Sequence, residues 1–372
     1  MLDKLSIVSY HTTLLTWYKQ FHRHLPWRAH LNQRPDPYHV WLSEIMLQQT
    51  TVPTVIQYYT QFLKKWPTVT TLAHATLDDV LHAWQGLGYY SRAKNLHKTA
   101  GLIVQDYGGH FPQVYQTLLT LPGVGPYTAA AISSIAFDTP ATVVDGNVER
   151  VMSRLFTIKT PLPAAKKSIY QHATQLTPHD ESGHYAQALM DLGSMICTPT
   201  SPKCAQCPIT QYCQAYQERV ICPPATYPLR QKKTPLPEKV ATVYWLINKK
   251  GAVLIEKRPP QGLLANLMAF PSTSWESLHQ KNYKPDLTPL GKDVQIHHTA
   301  KTPVRHTFTH FKLFLYVVIA ETRADTIPPA LQSGHALWCD PSHFHTHAFP
   351  TLMKKVMVYV NTLTKYGDYV RL

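Results

Sequence analysis

The sequence predicts two domains of different class: an all-helical N-terminal domain over residues 1–222 and an α/β domain over residues 239–372, joined by a proline-rich linker at 223–238. Three observations predict this division. The chain has 372 residues, more than one ordinary core accommodates and suited to two, because domains run to roughly 100–200 residues. From Ser6 to about Tyr216 apolar residues recur at three- and four-residue spacing, the period of helices with one buried face. Later in the chain the pattern changes to β-branched and aromatic runs, at Ala241–Asn248, Ala252–Arg258 and Phe308–Glu321, which predict a sheet.

The helical period is clearest at Tyr38–Val52, Leu77–Trp84, Lys94–Val104, Tyr127–Ala136 and Val148–Phe156, with Gly, Pro, Asp and Asn between the stretches. Five prolines fall between Pro223 and Pro237, together with Arg230, Lys232 and Lys233. That composition predicts an extended basic connection, since proline suits neither helix interior nor inner strand. A terminal helix, roughly Pro350–Leu363, closes the second domain.

Apolar residues make up 44% and charged residues 16% of the chain, enough for packed cores and unlike a disordered polymer. Lys and Arg number 36 against 22 Asp and Glu, and the net charge of +14 calls for a polyanionic partner, either nucleic acid or an anionic membrane. The longest uninterrupted apolar run, Leu313–Ala320, is far short of a bilayer span, and Met1–Trp17 lacks the pattern of a signal peptide. The expectation is a soluble cytoplasmic protein, a monomer, with nucleic acid and not membrane as its partner.

Four of the six cysteines, Cys197, Cys204, Cys207 and Cys213, are separated by six, two and five residues. Thiolates so near in sequence converge readily on one soft metal centre, and the clustering suits a reducing compartment better than disulfides. Zinc accepts four thiolates too, but structural zinc sites usually show two short knuckles, and this loop has a single Cys-x-x-Cys. Thiol chemistry alone leaves iron–sulfur ahead of zinc. Cys222 and Cys339 read as structural thiols.

The segment from Leu121 to Thr128 (Leu-Pro-Gly-Val-Gly-Pro-Tyr-Thr) joins two helical stretches. Gly123 and Gly125 allow backbone N–H groups to approach an anion closely, and Pro126 suits the first turn of the next helix. A plain helix–helix turn would use the same residues. Asp145, in Val143-Val-Asp-Gly-Asn-Val148, precedes a new helix, where an N-cap is the ordinary role of aspartate. Glu44 lies amid apolar neighbours in Trp41-Leu-Ser-Glu-Ile-Met-Leu-Gln48, with Gln48 one turn further on the same face. A carboxyl held in such surroundings resists ionisation, as a general acid must, although a surface glutamate is the commoner case.

These segments, with Leu25-Pro-Trp-Arg28, Pro37–Thr50, Gly86-Leu-Gly-Tyr-Tyr-Ser-Arg92 and Val144-Asp-Gly-Asn147, resemble the helix-hairpin-helix glycosylase superfamily, and within it the adenine DNA glycosylases of the MutY type. The resemblance spans nearly the whole chain. It implies a helix-hairpin-helix domain, with the hairpin at 118–136, and a four-iron four-sulfur cluster (4Fe-4S) in the loop 197–213. Glu44 is then the catalytic acid, Asp145 the carboxylate facing the sugar, and Asn147 its polar neighbour. Trp27 and Arg28 look like pocket residues, and Gln48 and one of Tyr89 and Tyr90 sit where the family wedges side chains into the base stack. At position 127 the related glycosylase/lyases of the endonuclease III type carry a lysine that attacks the sugar. Tyr127 stands there instead, and a phenol cannot form an imine.

The second domain resembles the Nudix-like domain of the same family. Residues 240–372 contain no glutamate-rich magnesium box, so this domain is expected to bind and not to hydrolyse. Where the family reads oxidised guanine with a Phe-Ser-His turn, this chain has Phe308-Thr309-His310, which keeps the hydroxyl and adds a methyl. His343, His345 and His347 alternate, but no obvious fourth ligand accompanies them. The resemblance thus implies a monofunctional glycosylase that acts on double-stranded DNA containing adenine opposite 8-oxoguanine or guanine, at the nucleoid of a bacterial cell. Two other readings remain at this stage, a pyrimidine-specific glycosylase/lyase and a non-catalytic iron–sulfur DNA-binding protein.

Overall fold

A computed structural model describes residues 4–231, 234–278, 283–322, 326–333 and 335–363. The chain forms two compact units: residues 1–75 with 95–233, and residues 76–94 with 234–372. The short segment Thr76–Lys94 thus belongs by its contacts to the second unit, although it falls within the helical half of the sequence.

The first unit contains α1 (Lys4–Phe21), α2 (Pro37–Leu47), α3 (Val52–Lys65) and α4 (Val69–Ala73). The later helices are numbered in chain order, with α5 (Leu77–Ala83) in the second unit and α6 (Ser91–Tyr107) starting there. After these come α7 (Tyr115–Leu118), α8 (Pro126–Phe137), α9 (Gly146–Leu155), α10 (Lys166–Leu176), α11 (Ser182–Met195) and α12 (Gln214–Gln217). Local residues mark two of the helix starts. Asp36 accepts from Tyr38 N at 2.8 Å ahead of Pro37, and Gly125 and Pro126 open α8. The predicted stretch Tyr38–Val52 is broken after Leu47, where Gln49 adopts a φ of 60° and a second proline-led helix begins.

The core of this unit joins α1, α8, α9 and α11 through Tyr10, Leu14, Ala131, Val148, Met152 and Leu189. α11 lies unusually close to two neighbours. A Cβ on Gly183 would stand 2.6 Å from the Ser134 carbonyl oxygen of α8, and one on Gly193 would stand 2.6 Å from Asn147 Cβ in the first turn of α9. The described part of the proline-rich segment is not free. Leu162 N donates to Leu229 O at 2.8 Å, and Pro224–Thr226 form a 3-10 turn. Lys232 and Lys233 lie outside the described residues.

The second unit is built on a sheet of order β3-β2-β1-β7-β5, with β1 (Glu238–Ile247), β2 (Val253–Lys257), β3 (Met268–Ala269), β5 (Val294–Thr299) and β7 (Lys312–Thr322). Short strands β4 (Glu276–Ser277), β6 (Val304–Thr307) and β8 (Ala336–Cys339) pair with β1, β7 and β2. β1 and β7 run parallel over ten residues, from Glu238 opposite Lys312 to Ile247 opposite Glu321. A parallel pair is covered on both faces, which explains their near-continuous apolar runs. α13 (Thr351–Asn361) covers one face through Leu352, Met353 and Val356, and a smaller cluster around Tyr244, Leu254 and Leu331 covers the other. The expected strand at Phe308–Glu321 begins only at Lys312, because Phe308–Phe311 turn back, with Phe308 N donating to Phe311 O at 2.8 Å.

Among the described residues, no helix is long and apolar enough to cross a membrane.

Candidate active site

Four elements of the first unit supply the site residues, of which Glu44 and Gln187 line one small cavity. α2 supplies Glu44, the first turn of α8 supplies Tyr127, the start of α9 supplies Asp145 and Asn147, and α11 supplies Gln187 and Asp191.

Glu44 is 6% exposed. Burial pushes its carboxyl up to about 7, and the nearby Asp145 adds to this, while the Tyr127 hydroxyl and Arg28 pull the other way. Tyr127 donates to Glu44 Oε2 at 2.8 Å. Burial and both carboxylates hold the phenol well above its ordinary value, so it stays neutral and remains a donor. Because Oε2 accepts that bond, the proton of the acid form belongs on Oε1.

Asp145 receives three N–H donors. Its Oδ1 accepts from Asn147 N at 2.9 Å and Val148 N at 2.7 Å, as an N-cap does, and Oδ2 accepts from Asn147 Nδ2 at 2.8 Å. The capping role expected of this residue is thus met, with Oδ2 held by Asn147 in addition. Asn147 is fixed in turn by Arg150, whose Nη2 donates to Asn147 Oδ1 at 2.9 Å and to Gly193 O at 2.6 Å. The same guanidinium reaches Cys197 O through Nε at 2.7 Å.

The cavity beside Glu44 measures about 50 Å³ and is walled by Trp27, Arg28, Val40, Leu47, Ile135 and Gln187, among others. Arg28 does not point freely into it. Its Nη1 and Nη2 grip Asp191 at 2.6 and 2.8 Å, and Arg23 joins through its backbone N at 2.9 Å. Asp191 is fully buried; burial would raise its carboxyl, but the two arginines win and hold it below its usual range. Gln187 donates to Gly183 O at 3.1 Å, which leaves its carbonyl end for the cavity. Neither Gln187 nor Asp191 was foreseen from the sequence. Only their i, i+4 spacing in an apolar helix could have signalled them.

The hairpin also lies in this unit. Gly123 has a φ of 77° and a Cβ there would stand 2.8 Å from Asn95, so the turn requires glycine. Gly125 has an ordinary φ of −89°, and a Cβ there would meet nothing within 4 Å among the described residues beyond its chain neighbours.

The four loop cysteines, Cys197, Cys204, Cys207 and Cys213, line one cavity together with Arg154, Thr210 and Tyr216. Burial pushes Cys207 up to about 12 and Cys213 up to about 11, so these thiols become thiolates only opposite a strong positive centre. Arg154, 1% exposed, donates to Cys197 Sγ at 3.2 Å and to Thr198 O at 2.7 Å. A converging thiol set with a guanidinium against one sulfur fits an iron–sulfur cluster, whose thiolate ligands carry charge.

In the second unit, neighbours in the sequence take opposite roles. Tyr89 has a φ of 48° and is 49% exposed, whereas Tyr90 is 6% exposed, its hydroxyl accepting from Gly86 N at 3.4 Å. Tyr90 is therefore a supporting residue of the loop and not an outward one. In the first unit, Gln48 is similarly turned inward and donates to Thr128 Oγ1 at 3.2 Å, while Gln49 is the exposed residue of that pair. Phe308 is packed against Trp275 with ring centroids 5.7 Å apart, and against Phe311 at 4.9 Å. It anchors the turn within its own domain, and Thr309 and His310 stand exposed. Thr309 Oγ1 lies 3.3 Å from Tyr89 OH. His345 and His347 offer backbone carbonyls to His82 and Gln85, at 2.7 and 3.2 Å. Among the described residues, no three His, Cys, Asp or Glu side chains are grouped for a single metal ion.

Residues 42–179 match the HhH-GPD superfamily of base excision DNA repair proteins, residues 197–213 the iron–sulfur binding domain of endonuclease III, and residues 242–358 the NUDIX domain. Human adenine DNA glycosylase is 36% identical over 411 residues, covering 95% of this chain and 74% of the human protein. The chain belongs to the adenine DNA glycosylase family. Another adenine DNA glycosylase, from Buchnera aphidicola subsp. Schizaphis graminum, is 32% identical over 360 residues, covering 95% of this chain and 99% of that protein. Among solved structures, a thermostable thymine-DNA glycosylase superposes with a TM-score of 0.51 at 31% identity, covering 57% of this chain and 97% of that one. As an adenine DNA glycosylase family member the protein is a DNA N-glycosylase of base excision repair, with a helix-hairpin-helix domain, a 4Fe-4S cofactor and a Nudix-like second domain.

Proposed function

We propose that the protein removes adenine mispaired with 8-oxoguanine or guanine in double-stranded DNA, leaving an abasic site without cutting the strand. The observation that carries this reading is the Glu44 carboxyl, raised to about 7 and holding one oxygen on Tyr127. Such a group is protonated in useful amounts at neutral pH and can deliver its proton from Oε1 to N7 of an extruded adenine. Protonation makes the base a leaving group, and the N9–C1′ bond breaks through an oxocarbenium-like state. Asp145, held by three N–H donors beside it, stabilises the sugar cation electrostatically or traps it transiently until water completes the reaction. Tyr127 supports monofunctional chemistry twice over, since it offers no amine and its hydroxyl is committed to Glu44.

Adenine would be held between Trp27 and Leu47, with the Gln187 carbonyl accepting from its exocyclic amine. A cavity of about 50 Å³ accommodates a few waters, so the base must part these walls to enter. Gln49 and Tyr89 are the outward residues suited to fill the space left in the duplex, and Thr309 and His310 those suited to read the oxidised guanine. On this reading residues 1–222 form the catalytic domain, 223–238 the linker and 239–372 the lesion-reading domain of a monomer that works on the bacterial chromosome. The cluster, when bound, supplies fixed charge and a folded loop; Arg150 then ties that loop to Asn147 and so to Asp145.

The test is an assay on duplexes with adenine opposite 8-oxoguanine. Base loss revealed only after alkali supports the proposal. Strand cleavage without alkali would make the protein a glycosylase/lyase, and binding without base loss a non-catalytic DNA-binding protein.

A further inference from the structure

Tyr89 sits in a loop that its own backbone disfavours. Gly86, Gly88 and Tyr89 have φ of 110°, 72° and 48°, three left-handed residues out of four. For tyrosine that conformation costs on the order of 1 kcal/mol or more and persists only where the surroundings impose it.

Arg92, the second residue of α6, is the side chain beneath the loop and is 7% exposed. Its Nη2 donates to Leu87 O at 3.1 Å and to Gly88 O at 3.2 Å. The guanidinium carbon stands 5.2 Å from the Trp84 ring centre and 5.7 Å from the Tyr89 ring centre, within cation–π range of both. Trp84 Nε1 donates to the same Gly88 carbonyl at 3.1 Å, and Arg92 N closes the loop onto Tyr89 O at 2.9 Å. Burial lowers the guanidinium to about 10, so it is still charged at neutral pH. A buried cation is an expensive way to fill space, and hydrophobic packing would do that better. What the guanidinium does that an apolar residue cannot is to bind two loop carbonyls and an aromatic face together.

We propose that Arg92 is the positioning residue of the Tyr89 wedge, holding the strained loop so that the Tyr89 ring is presented ready to enter the base stack. The inference rests on the reading of Tyr89 as a DNA-inserting residue. By fixing the ring in advance, Arg92 removes an ordering cost that would otherwise fall on base extrusion.

The test uses the full chain with its cluster, as wild type, Tyr89→Ala, Arg92→Met, Arg92→Lys and the double variant Tyr89→Ala/Arg92→Met. A duplex carrying 2-aminopurine next to the target adenine reports unstacking as a rise in emission, and single-turnover rates at saturating protein report base loss. Arg92→Met is expected to reduce both by roughly tenfold, as Tyr89→Ala does, with no further loss in the double variant. Arg92→Lys, which keeps the charge but lacks the planar fork, should fall between Arg92→Met and wild type and serves if the methionine variant does not fold. Full unstacking by Arg92→Lys and Arg92→Met beside an impaired Tyr89→Ala would overturn the role of Arg92 alone, as would losses that multiply in the double variant. If Tyr89→Ala itself behaves as wild type, the wedge reading falls and the inference falls with it.

Discussion

The cavity beside Glu44 and the turn at Phe308–His310 hold their side chains in opposite ways. Around Glu44 the polar groups are tied to neighbours: Tyr127 to Glu44, Asn147 to Asp145, Arg28 and Arg23 to Asp191, and the Gln187 amide to the Gly183 carbonyl. At the turn Phe308 is anchored by aromatic packing, and Thr309 and His310 stand exposed, with a single side-chain bond between Thr309 Oγ1 and Tyr89 OH. Reaction chemistry needs charges fixed before the substrate arrives, because reorganising them during the reaction would add to the barrier. Recognition of a base edge needs donors and acceptors that water has not been denied, so on the proposed function exposure of the turn is a requirement and not a defect. Substitutions in the first region should therefore strike the chemical step, and those in the second the choice of substrate.

The largest effect is expected for Glu44→Gln, which should lower single-turnover adenine excision by about 10²–10⁴-fold with mismatch binding retained. In the wild type the acid form is the active one, so the rate should be flat below about pH 7 and fall tenfold per unit above it. Stability follows the same group. Its folded value lies above the ordinary 4.5, so its stabilisation is complete below that pH and is lost as pH rises through about 7. Denaturant melts should show Glu44→Gln gaining up to about 3 kcal/mol on wild type at pH 8. A wild-type rate that climbs with pH would remove Glu44 from the role of acid.

Asp145→Asn comes next. Asparagine caps a helix nearly as well as aspartate, so the melting midpoint should hardly move while excision drops by about 10²–10³-fold. Unimpaired turnover would leave Asp145 a cap and nothing else.

Smaller still is Gly193→Ala, where the added methyl meets Asn147 Cβ at 2.6 Å. Overpacking of this kind costs about 1–3 kcal/mol, and the displaced Asn147 takes one donor from Asp145. The excision rate, measured well below the melting midpoint, should drop as well. A variant that is less stable but fully active would show that α11 tolerates the shift without disturbing Asp145.

The mildest change in rate should follow Thr309→Ala with His310→Ala. Each lost hydrogen bond is worth about 1 kcal/mol, so preference for 8-oxoguanine over guanine opposite adenine should narrow several-fold to tens-fold, with excision from bound guanine mismatches little changed. Equal losses on both duplexes would erase the contrast between the two regions and assign the turn to general DNA affinity.

Local signals made the framework legible. Gly125-Pro126 announces a helix start, the cysteine spacing announces a ligand loop, and the change of period after the prolines announces a sheet. Less legible was everything decided by partners distant in sequence. Nothing near Tyr127 says that its hydroxyl belongs to Glu44, 83 residues away, and nothing near Arg28 names Asp191, 163 residues away. Neighbouring residues of one type, Gln48 and Gln49 or Tyr89 and Tyr90, differ only in backbone angles that a single positive φ sets. The exposed face of such a pair is a property of the turn, which composition does not encode.

The membership of Thr76–Lys94 in the second unit has a bearing on how the protein is made. His82 bonds to His345, 263 residues later, and Gln85 to Phe349, 264 residues later. At a synthesis rate of about 5–20 residues per second, the segment waits roughly 13–50 s for those partners. Every residue of the first unit has been synthesised by Lys233. On the proposed function, a nascent chain paused at that point has the groups assigned to glycosidic bond cleavage, while the turn assigned to reading guanine has yet to be translated. On that reading the order of translation places cutting ahead of discrimination, and a chain released early would be less selective than the full one.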